Sequence, residues 1–454
     1  MQLARALRWR SKDVVSFVGG GGKTSAMFRL AGELAAHGRR VVTTTTTHIF
    51  ASQIALAGWH IVHPPSQSIH ELLDLLAGQL VAHPHILVVA PPDADSGKAL
   101  GVSPDLVAAI AAMPQVDGVL VEADGARMRP FKAPADHEPV VAACTTVLVP
   151  VVGVDAVGLP LTAEVVHRPE RVARITGAEP GAALTPQIMA AALVHAEGGL
   201  KGRPPGARVV PLINKVAGGQ FSPALAAARD LADHLLACKD IEAVVLGAVQ
   251  ESDPVLEVRG RVAAVVLAAG GARRYGALKQ MLSWGSGTLL SQVVDTALAS
   301  QADPVVVLLG SQAAACRSAL GERPVTVVVN RDWERGQSSS LKVGLAALPG
   351  NVMAAVFPLA DQPRVTAATL DALIERHRAT LAPVVWPEYK GERGNPVLFD
   401  RDLFPELMQL TGDVGGRALL GDTSALAERV DVPDAGILLD IDTPQDYRGA
   451  GGNE

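Results

Sequence analysis

Short β-branched runs alternate with Ala/Leu-rich amphipathic stretches along nearly the whole chain, and this alternation leaves few architectures open. Residues 14–18, 41–45, 86–89, 116–121, 147–152 and 209–213 have the length and composition of strands. Residues 24–37, 223–237 and 288–300 carry apolar positions at helical spacing. Strand–helix alternation packs as α/β layers around mainly parallel sheets. Both faces of such a sheet are covered, so its strands read as apolar throughout. Aromatic residues make up only 4% of the chain against 48% apolar, so the cores are built from Ala, Val and Leu. At 454 residues the chain is too long for one core of this kind. A fresh strand-loop-helix unit opens at 261–267, and the polar, Pro254-containing segment 251–260 reads as a linker. The expectation is two doubly wound domains, residues 1–258 and 259–454.

Charge and cysteine usage narrow the partners. Lys plus Arg number 40 and Asp plus Glu 46, a net charge of −6. A dedicated nucleic-acid binder carries a basic surface, so no nucleic-acid partner is expected. A local basic pocket for a phosphorylated small molecule stays compatible with this balance. Cys144, Cys238 and Cys316 form no CxxC and cannot all pair within one chain. That pattern fits a reducing compartment without a structural zinc site. Residues 1–13 lack the apolar core of a signal peptide. The longest apolar stretch, 140–154, is broken by Cys144, Thr145, Thr146 and Pro150 and falls short of the ~18 residues of a membrane span. No membrane partner is expected, and the cytoplasm is the expected location.

The first half opens with a phosphate-loop pattern. An apolar strand runs into Gly19-Gly20-Gly21-Gly22-Lys23-Thr24, and a helical pattern follows. Glycines let backbone amides turn inward around a phosphate, and the helix N-terminus adds its partial positive charge. Lys23 then reaches the β- and γ-phosphates of ATP or GTP, and the Thr24 hydroxyl ligates Mg²⁺. The usual spacing asks for glycine at position 17, where Phe17 stands. Downstream, an apolar strand ends in Glu122-Ala-Asp124, and either carboxylate, Asp124 or Glu122, suits Mg²⁺. Thr43 to Thr47 close the second strand with His48 after them, where α/β ligands bind, although strand propensity alone explains most of them. Arg127, Lys132, His137 and Glu138 follow in a loop, as site residues or as a surface salt-bridge network. Asn214-Lys215-Val-Ala217 is like the base-reading N-K-x-D of GTPases, but Ala217 stands where the guanine-reading aspartate belongs.

Together, the GGGGKT loop, the TTTTTH run, VEADGA, KAPADHEP and LINKV resemble the YqeC family over residues 5–250. The resemblance implies a P-loop-like accessory domain for selenium-dependent molybdenum hydroxylases. It implies nucleotide-dependent handling of a cofactor, or of its sulfur or selenium ligand.

The second half carries a different loop. A strand leads into Leu267-Ala268-Ala269-Gly270-Gly271-Ala272-Arg273-Arg274-Tyr275-Gly276-Ala277-Leu278-Lys279. Small residues allow backbone amides close to a triphosphate, and Arg274 and Lys279 neutralise charge on the α-phosphate and the leaving pyrophosphate. This run is similar to LAAG-x-S-x-R-M-G-x-x-K of the molybdenum cofactor cytidylyltransferases, within the MobA-like NTP transferases. Ala272 and Tyr275 depart from it, and Arg274, Gly276 and Lys279 are kept. Further segments match in order. Asn330 and Trp333 with Gly336 to Ser340 look like N-x-x-W-x-x-G-x-x-S-S, and Asp361-Gln362-Pro363 looks like L-x-D-Q-P. Gly391 to Pro396 look like G-x-R-G-H-P, with Asn395 where histidine is usual. Gly412 to Arg417 look like G-D-x-G-A-R, and Asp440-Ile-Asp442-Thr443-Pro444 matches D-I-D-T-P.

The resemblance implies a Rossmann-like, GT-A-like nucleotidyltransferase that passes CMP from CTP to Mo-molybdopterin and releases pyrophosphate. It places Asp361 and Asp442 on Mg²⁺, Leu267, Ala268, Ala269, Gly270, Gly276 and Ser339 around the nucleotide, and Arg393 and Asn395 toward the pterin. Ala269 in LAAG, where guanylyl-transferring relatives carry a glycine, favours CTP. The implied recipient is a molybdenum hydroxylase apoenzyme of the xanthine dehydrogenase kind. Two other readings stay open. One is nucleotidyl transfer to another phosphorylated substrate, from GTP to molybdopterin or from CTP to a sugar or methylerythritol phosphate. The other is a non-catalytic chaperone that inserts the cofactor.

Overall fold

A computed structural model describes residues 1–92, 98–219, 222–270, 278–412 and 426–452. They divide into two compact units, Met1–Arg259 and Gly260–Glu454. Each is a mixed α/β unit whose sheet consists mainly of parallel strands.

The sheet of the first unit is built on β1 (Val14–Gly19), β2 (Val41–Thr45), β3 (His60–Val62), β4 (His85–Val89), β5 (Gly118–Glu122), β6 (Val147–Gly153), β7 (Leu212–Asn214), β8 (Val244–Gly247) and β9 (Val255–Arg259). Their spatial order is β9-β8-β7-β6-β1-β5-β2-β4-β3, with Arg208–Val209 also paired to β6. All neighbours on this path are parallel except β9 on β8. β1 is central, with β5 on one side and β6 on the other. Its carboxyl end therefore opens between two strands of different origin, the place where α/β sheets bind ligands. The run 209–213 breaks into two short strands because Pro211 has no amide to give the ladder.

The segment 251–260 is not a linker. Val255–Arg259 closes the first sheet as an antiparallel edge strand. Val255 and Val258 are buried, Glu257 takes a fork of bonds from Arg229 at 2.6–3.2 Å, and Arg259 bonds Asp233 at 2.9–3.1 Å. Its charged residues are paired, so the polar composition that resembles a tether is compatible with a buried strand.

The second unit holds β10 (Arg261–Ala268), β11 (Val305–Leu309), β12 (Thr326–Val329), β13 (Val352–Phe357), β14 (Val384–Tyr389), β15 (Glu392–Arg393), β16 (Val397–Asp400) and β17 (Glu428–Asp431). The order is β12-β11-β10-β13-β16-β14-β15, with β17 on β14. The first four are parallel, while β16 runs antiparallel to both β13 and β14. β10 is again central and fully apolar on its buried face, so its carboxyl end meets those of β11 and β13. No helix among the described residues is long and apolar enough to cross a membrane.

Candidate active sites

In the first unit, β1 ends in the four glycines and the helix Lys23–Ala36 begins at once. A Cβ on Gly21 would lie 2.2 Å from the amide nitrogen of Gly153, and one on Gly20 would lie 2.7 Å from the Arg129 carbonyl. Gly21 also sits at φ 77°, where L side chains are strained. The loop is thus pressed against the end of β6, and glycine there is a packing requirement.

The amides of this loop depart from the sequence expectation. Gly19 N–H donates to both oxygens of Asp124 at 3.1 Å, Gly20 N–H to Val151 O at 2.9 Å, and Gly21 N–H to Arg129 O at 3.0 Å. Three of the glycine amides are therefore committed inside the protein. The donors left for an anion are those of the first helical turn, which have no intrahelical acceptor.

Lys23 is almost completely buried at 4% exposure. Its Nζ donates to Gly19 O at 2.7 Å and lies 3.3 Å from Asp124 and 3.7 Å from Glu122. Thr24 Oγ1 donates to Glu122 Oε2 at 2.7 Å. The carboxylate beside the loop threonine is therefore Glu122, while Asp124 braces Gly19 and Lys23. Burial raises the Glu122 pKa, against the pull of Lys23 and Thr24.

A second layer of charge lies behind. Lys132, with no exposed side-chain surface, donates to Asp124 and Glu138, both at 2.9 Å, and to Gly125 O at 2.7 Å. Arg168 donates to Glu138 at 2.6 Å. Lys132 and Glu138 thus form a buried network rather than a surface one, whereas Arg127 and His137 are exposed. Asn214 Nδ2 donates to Gly21 O at 2.8 Å and its Oδ1 accepts from Val249 N–H, so it clamps the loop. Lys215 pairs with Asp155 at 2.8 Å. The threonine run is largely structural, since Thr44, Thr45 and Thr46 bond the carbonyls of Val88, Glu122 and Val140.

Titration follows from this burial. Burial works to raise the Glu138 pKa, but Arg168 and Lys132 outweigh it and bring it from 4.5 to about 2. That carboxylate stabilises the fold fully above about 4.5 and loses its contribution as pH falls through about 2. Burial lowers His85 and His167 from 6.5 to about 4, so each favours the fold above 6.5 and stops doing so by about 4. We expect acid to weaken this unit in two stages, from pH 6.5 to 4 and then below 4.5. Denaturant unfolding across pH checks this: His85→Gln flattens the upper stage and Glu138→Gln the lower. Unchanged profiles would refute the assignment.

In the second unit, Leu267 and Ala268 end β10 and Ala269 and Gly270 leave it, but Arg274 and Gly276 lie outside the described residues, as do Ala272 and Tyr275. Gln280, buried at 3% exposure, bonds Gly270 O through Nε2 at 2.8 Å and so ties the loop start to Lys279. Lys279 Nζ donates to Asp361 Oδ2 at 2.5 Å and to Asp442 Oδ1 at 3.0 Å. Three motifs far apart in sequence thus meet at one atom. Burial alone would lower the Lys279 pKa, and the two carboxylates outweigh it and raise it. Asp440 stands beside them, its pKa raised by burial and then by Asp361. Among the described residues no three His, Cys, Asp or Glu side chains form a ready metal cage. The donor chemistry still fits Mg²⁺, since two hard carboxylate oxygens converge on one cationic atom.

The remaining candidates are placed around this centre. The Gln362 side chain and the Asn395 amide both reach Ile437 O, at 3.4 and 3.1 Å, which brings the DQP and GNP segments together. Arg393 lies half-buried over the Trp386 ring, 4.4 Å from its centroid. Ser339 is held by Asn330 Nδ2 at 2.9 Å and donates to Gly336 O at 2.8 Å, so its hydroxyl braces the loop before its own helix. Ser338 bonds Gly412 O at 2.7 Å, and Asp413 to Arg417 lie outside the described residues. Sequence reasoning missed the roles of Lys132, Asn214 and Gln280 as braces, because each acts through a partner distant in sequence.

Residues 15–170 match the family model described as YqeC protein, and residues 264–429 match that of the MobA-like NTP transferase domain. The chain is 36% identical to the uncharacterized protein YqeC of Escherichia coli (strain K12) over 240 residues, 52% of this chain and 88% of that protein. It is 32% identical to the nicotine blue oxidoreductase of Paenarthrobacter nicotinovorans over 197 residues, covering 41% of this chain and 95% of that one. It is 25% identical to the molybdenum cofactor cytidylyltransferase of Escherichia coli (strain K12) over 186 residues, 40% of this chain and 92% of the relative.

Proposed function

The chain belongs to the YqeC family in its first unit and to the MobA-like NTP transferases in its second, and from that premise we propose that it matures the molybdenum cofactor of a hydroxylase. The second unit transfers CMP from CTP to Mo-molybdopterin and releases pyrophosphate. The observation that carries this reading is the convergence of Asp361, which follows the strand β13, and of Asp442 on Lys279. Asp361 and Asp442 would hold Mg²⁺, which neutralises charge on phosphate oxygens when bound. Lys279 faces the same oxygens and stabilises the leaving pyrophosphate, and Leu267 to Gly270 admit the triphosphate close to the backbone. Ser339 belongs to the nucleotide side of this site, and Arg393 and Asn395 to the pterin side; the nucleotide role proposed for Arg274 and Gly276 falls on residues outside those described.

The first unit binds ATP or GTP with its phosphate at Gly22 to Thr24, Lys23 turning from Asp124 to the phosphates. Thr24 and Glu122 would hold Mg²⁺ there. Asp124 keeps the loop in shape. This unit hands the cofactor on to a hydroxylase apoenzyme, and fusion keeps the transfer local. The apoenzyme is of the xanthine dehydrogenase kind, and the cytoplasm is the place of the reaction.

The test is pyrophosphate release by the full chain with Mg²⁺ and Mo-molybdopterin, CTP against GTP. We expect release with CTP, and a loss of about 10²–10³-fold in Asp361→Ala, the size of one removed electrostatic contact. Equal release with GTP rejects the cytidylyl reading, and an unaffected Asp361→Ala rejects the metal assignment. The oxidoreductase relative, nearer in identity, favours a second reading as a redox enzyme. NADPH or NADH consumption with no pyrophosphate release would establish that one instead.

A further inference from the structure

Beside the phosphate loop runs an arch, residues 125–130, whose side chains the reading above leaves unused. Its backbone is pinned along its length. Gly125 O accepts from Lys132 Nζ at 2.7 Å, and Arg129 N–H closes a turn on Ala126 O at 2.9 Å. Arg129 O accepts from the Gly21 amide at 3.0 Å, and Pro130 O from the Gly153 amide at 2.9 Å. Within the arch, Arg127 and Met128 both take left-handed φ, 48° and 62°. For non-glycine residues this conformation is strained, and it persists where the surroundings over-determine the backbone. The strain presents three side chains: Met128 is 91% exposed, Arg127 is exposed and Arg129 half-buried.

The charges already described balance one another, Lys23, Lys132 and Arg168 against Glu122, Asp124 and Glu138. Among the described residues, the side chains of Arg127 and Arg129 make no hydrogen bond or ion pair. They are surplus positive charge on an element hydrogen-bonded to the phosphate loop. Arg127 is also close enough to His167 that, after burial, its charge joins those of Arg168 and Lys132 in keeping the imidazole neutral. Guanidinium forks match phosphate oxygens in geometry and in charge.

We propose that Arg127 and Arg129 bind a phosphoryl group beside Lys23, making the arch a second anion site of the first unit. Its placement next to a bound nucleotide rests on the phosphate-loop reading. The phosphoryl group has two possible sources: the terminal phosphate of that nucleotide, or a second phosphorylated substrate.

The experiment titrates the full chain calorimetrically with inorganic phosphate, first alone and then saturated with AMP-PNP or GMP-PNP and Mg²⁺. The Arg127→Gln/Arg129→Gln variant runs beside it, and unchanged melting shows that it folds. We expect the variant to bind phosphate at least tenfold more weakly. Phosphate binding that survives nucleotide saturation and is lost in the variant assigns the arch to a second substrate. Phosphate binding displaced by nucleotide, with the analogue itself bound more weakly by the variant, assigns it to the nucleotide's own phosphate. Equal binding by both chains, or no phosphate binding by the parent, overturns the proposal. If neither analogue binds while phosphate binding still depends on the arginines, the phosphate-loop reading falls and the arch stands.

Discussion

Lys279→Met should bind Mn²⁺ at least tenfold more tightly than the parent chain and release pyrophosphate at least a hundredfold more slowly. The two effects have one cause. The ammonium sits where two carboxylates converge, 2.5 Å from Asp361 and 3.0 Å from Asp442. A divalent cation must displace it to use both. Unit charges about 4 Å apart near a protein surface interact by about 4 kcal/mol, so tenfold, about 1.4 kcal/mol, is a conservative share. Methionine keeps an unbranched stem and removes the charge. The rate falls because the charge that meets the leaving pyrophosphate has gone, and one such contact is worth about 10²–10³. Mn²⁺ titration by electron paramagnetic resonance reads the first effect and steady-state pyrophosphate release the second. Weaker or equal Mn²⁺ binding would show that Lys279 supports the metal site instead of competing with it.

Gly21→Ala is expected to destabilise the first unit by more than about 4 kcal/mol, in the range reserved for unavoidable clashes. The new methyl would lie 2.2 Å from Gly153 N and 2.7 Å from the Val152 carbonyl carbon, both backbone atoms. It would also sit at φ 77°. Relief requires β1 and β6 to separate, and these strands form the middle of the sheet. Hydrogen exchange should show lost protection across 14–24 and 147–153, and AMP-PNP binding should vanish with it. Protection and melting equal to those of the parent would mean that the loop is looser than its packing indicates.

The contrast between these variants shows which features were legible beforehand. The Lys279 and Asp361 motifs stood out because each pairs a chemical group with a recognisable local setting, a loop after a strand and a strand end, whereas Asp442 stood out only by resemblance. Resemblance implied that Asp361 and Asp442 share a metal; their meeting at the Lys279 ammonium came only from the structure. The glycine run was legible as a loop, but the purpose of its glycines was not. Pattern suggested amides aimed at a phosphate, whereas three of them bond Asp124, Val151 and Arg129. Likewise 251–260 reads as a tether by composition. Two of its charges, Glu257 and Arg259, find partners on the helix Pro223–Leu236, which no local pattern reveals.

Alternation of strand and helix periods by itself determined that this chain forms α/β layers with parallel sheets, because hydrophobic periodicity reports local burial directly. It also determined where the two glycine-rich loops fall, since strand ends and helix starts are local events. The tertiary structure alone decided which charge faces which. Glu122 rather than Asp124 meets Thr24, Lys132 is buried against Asp124 and Glu138, and Arg127 and Arg129 are left over. The reason is range. Burial period is set within a few residues, but ion pairing depends on atoms within about 4 Å, brought together by strands that are neighbours in the sheet and strangers in the sequence.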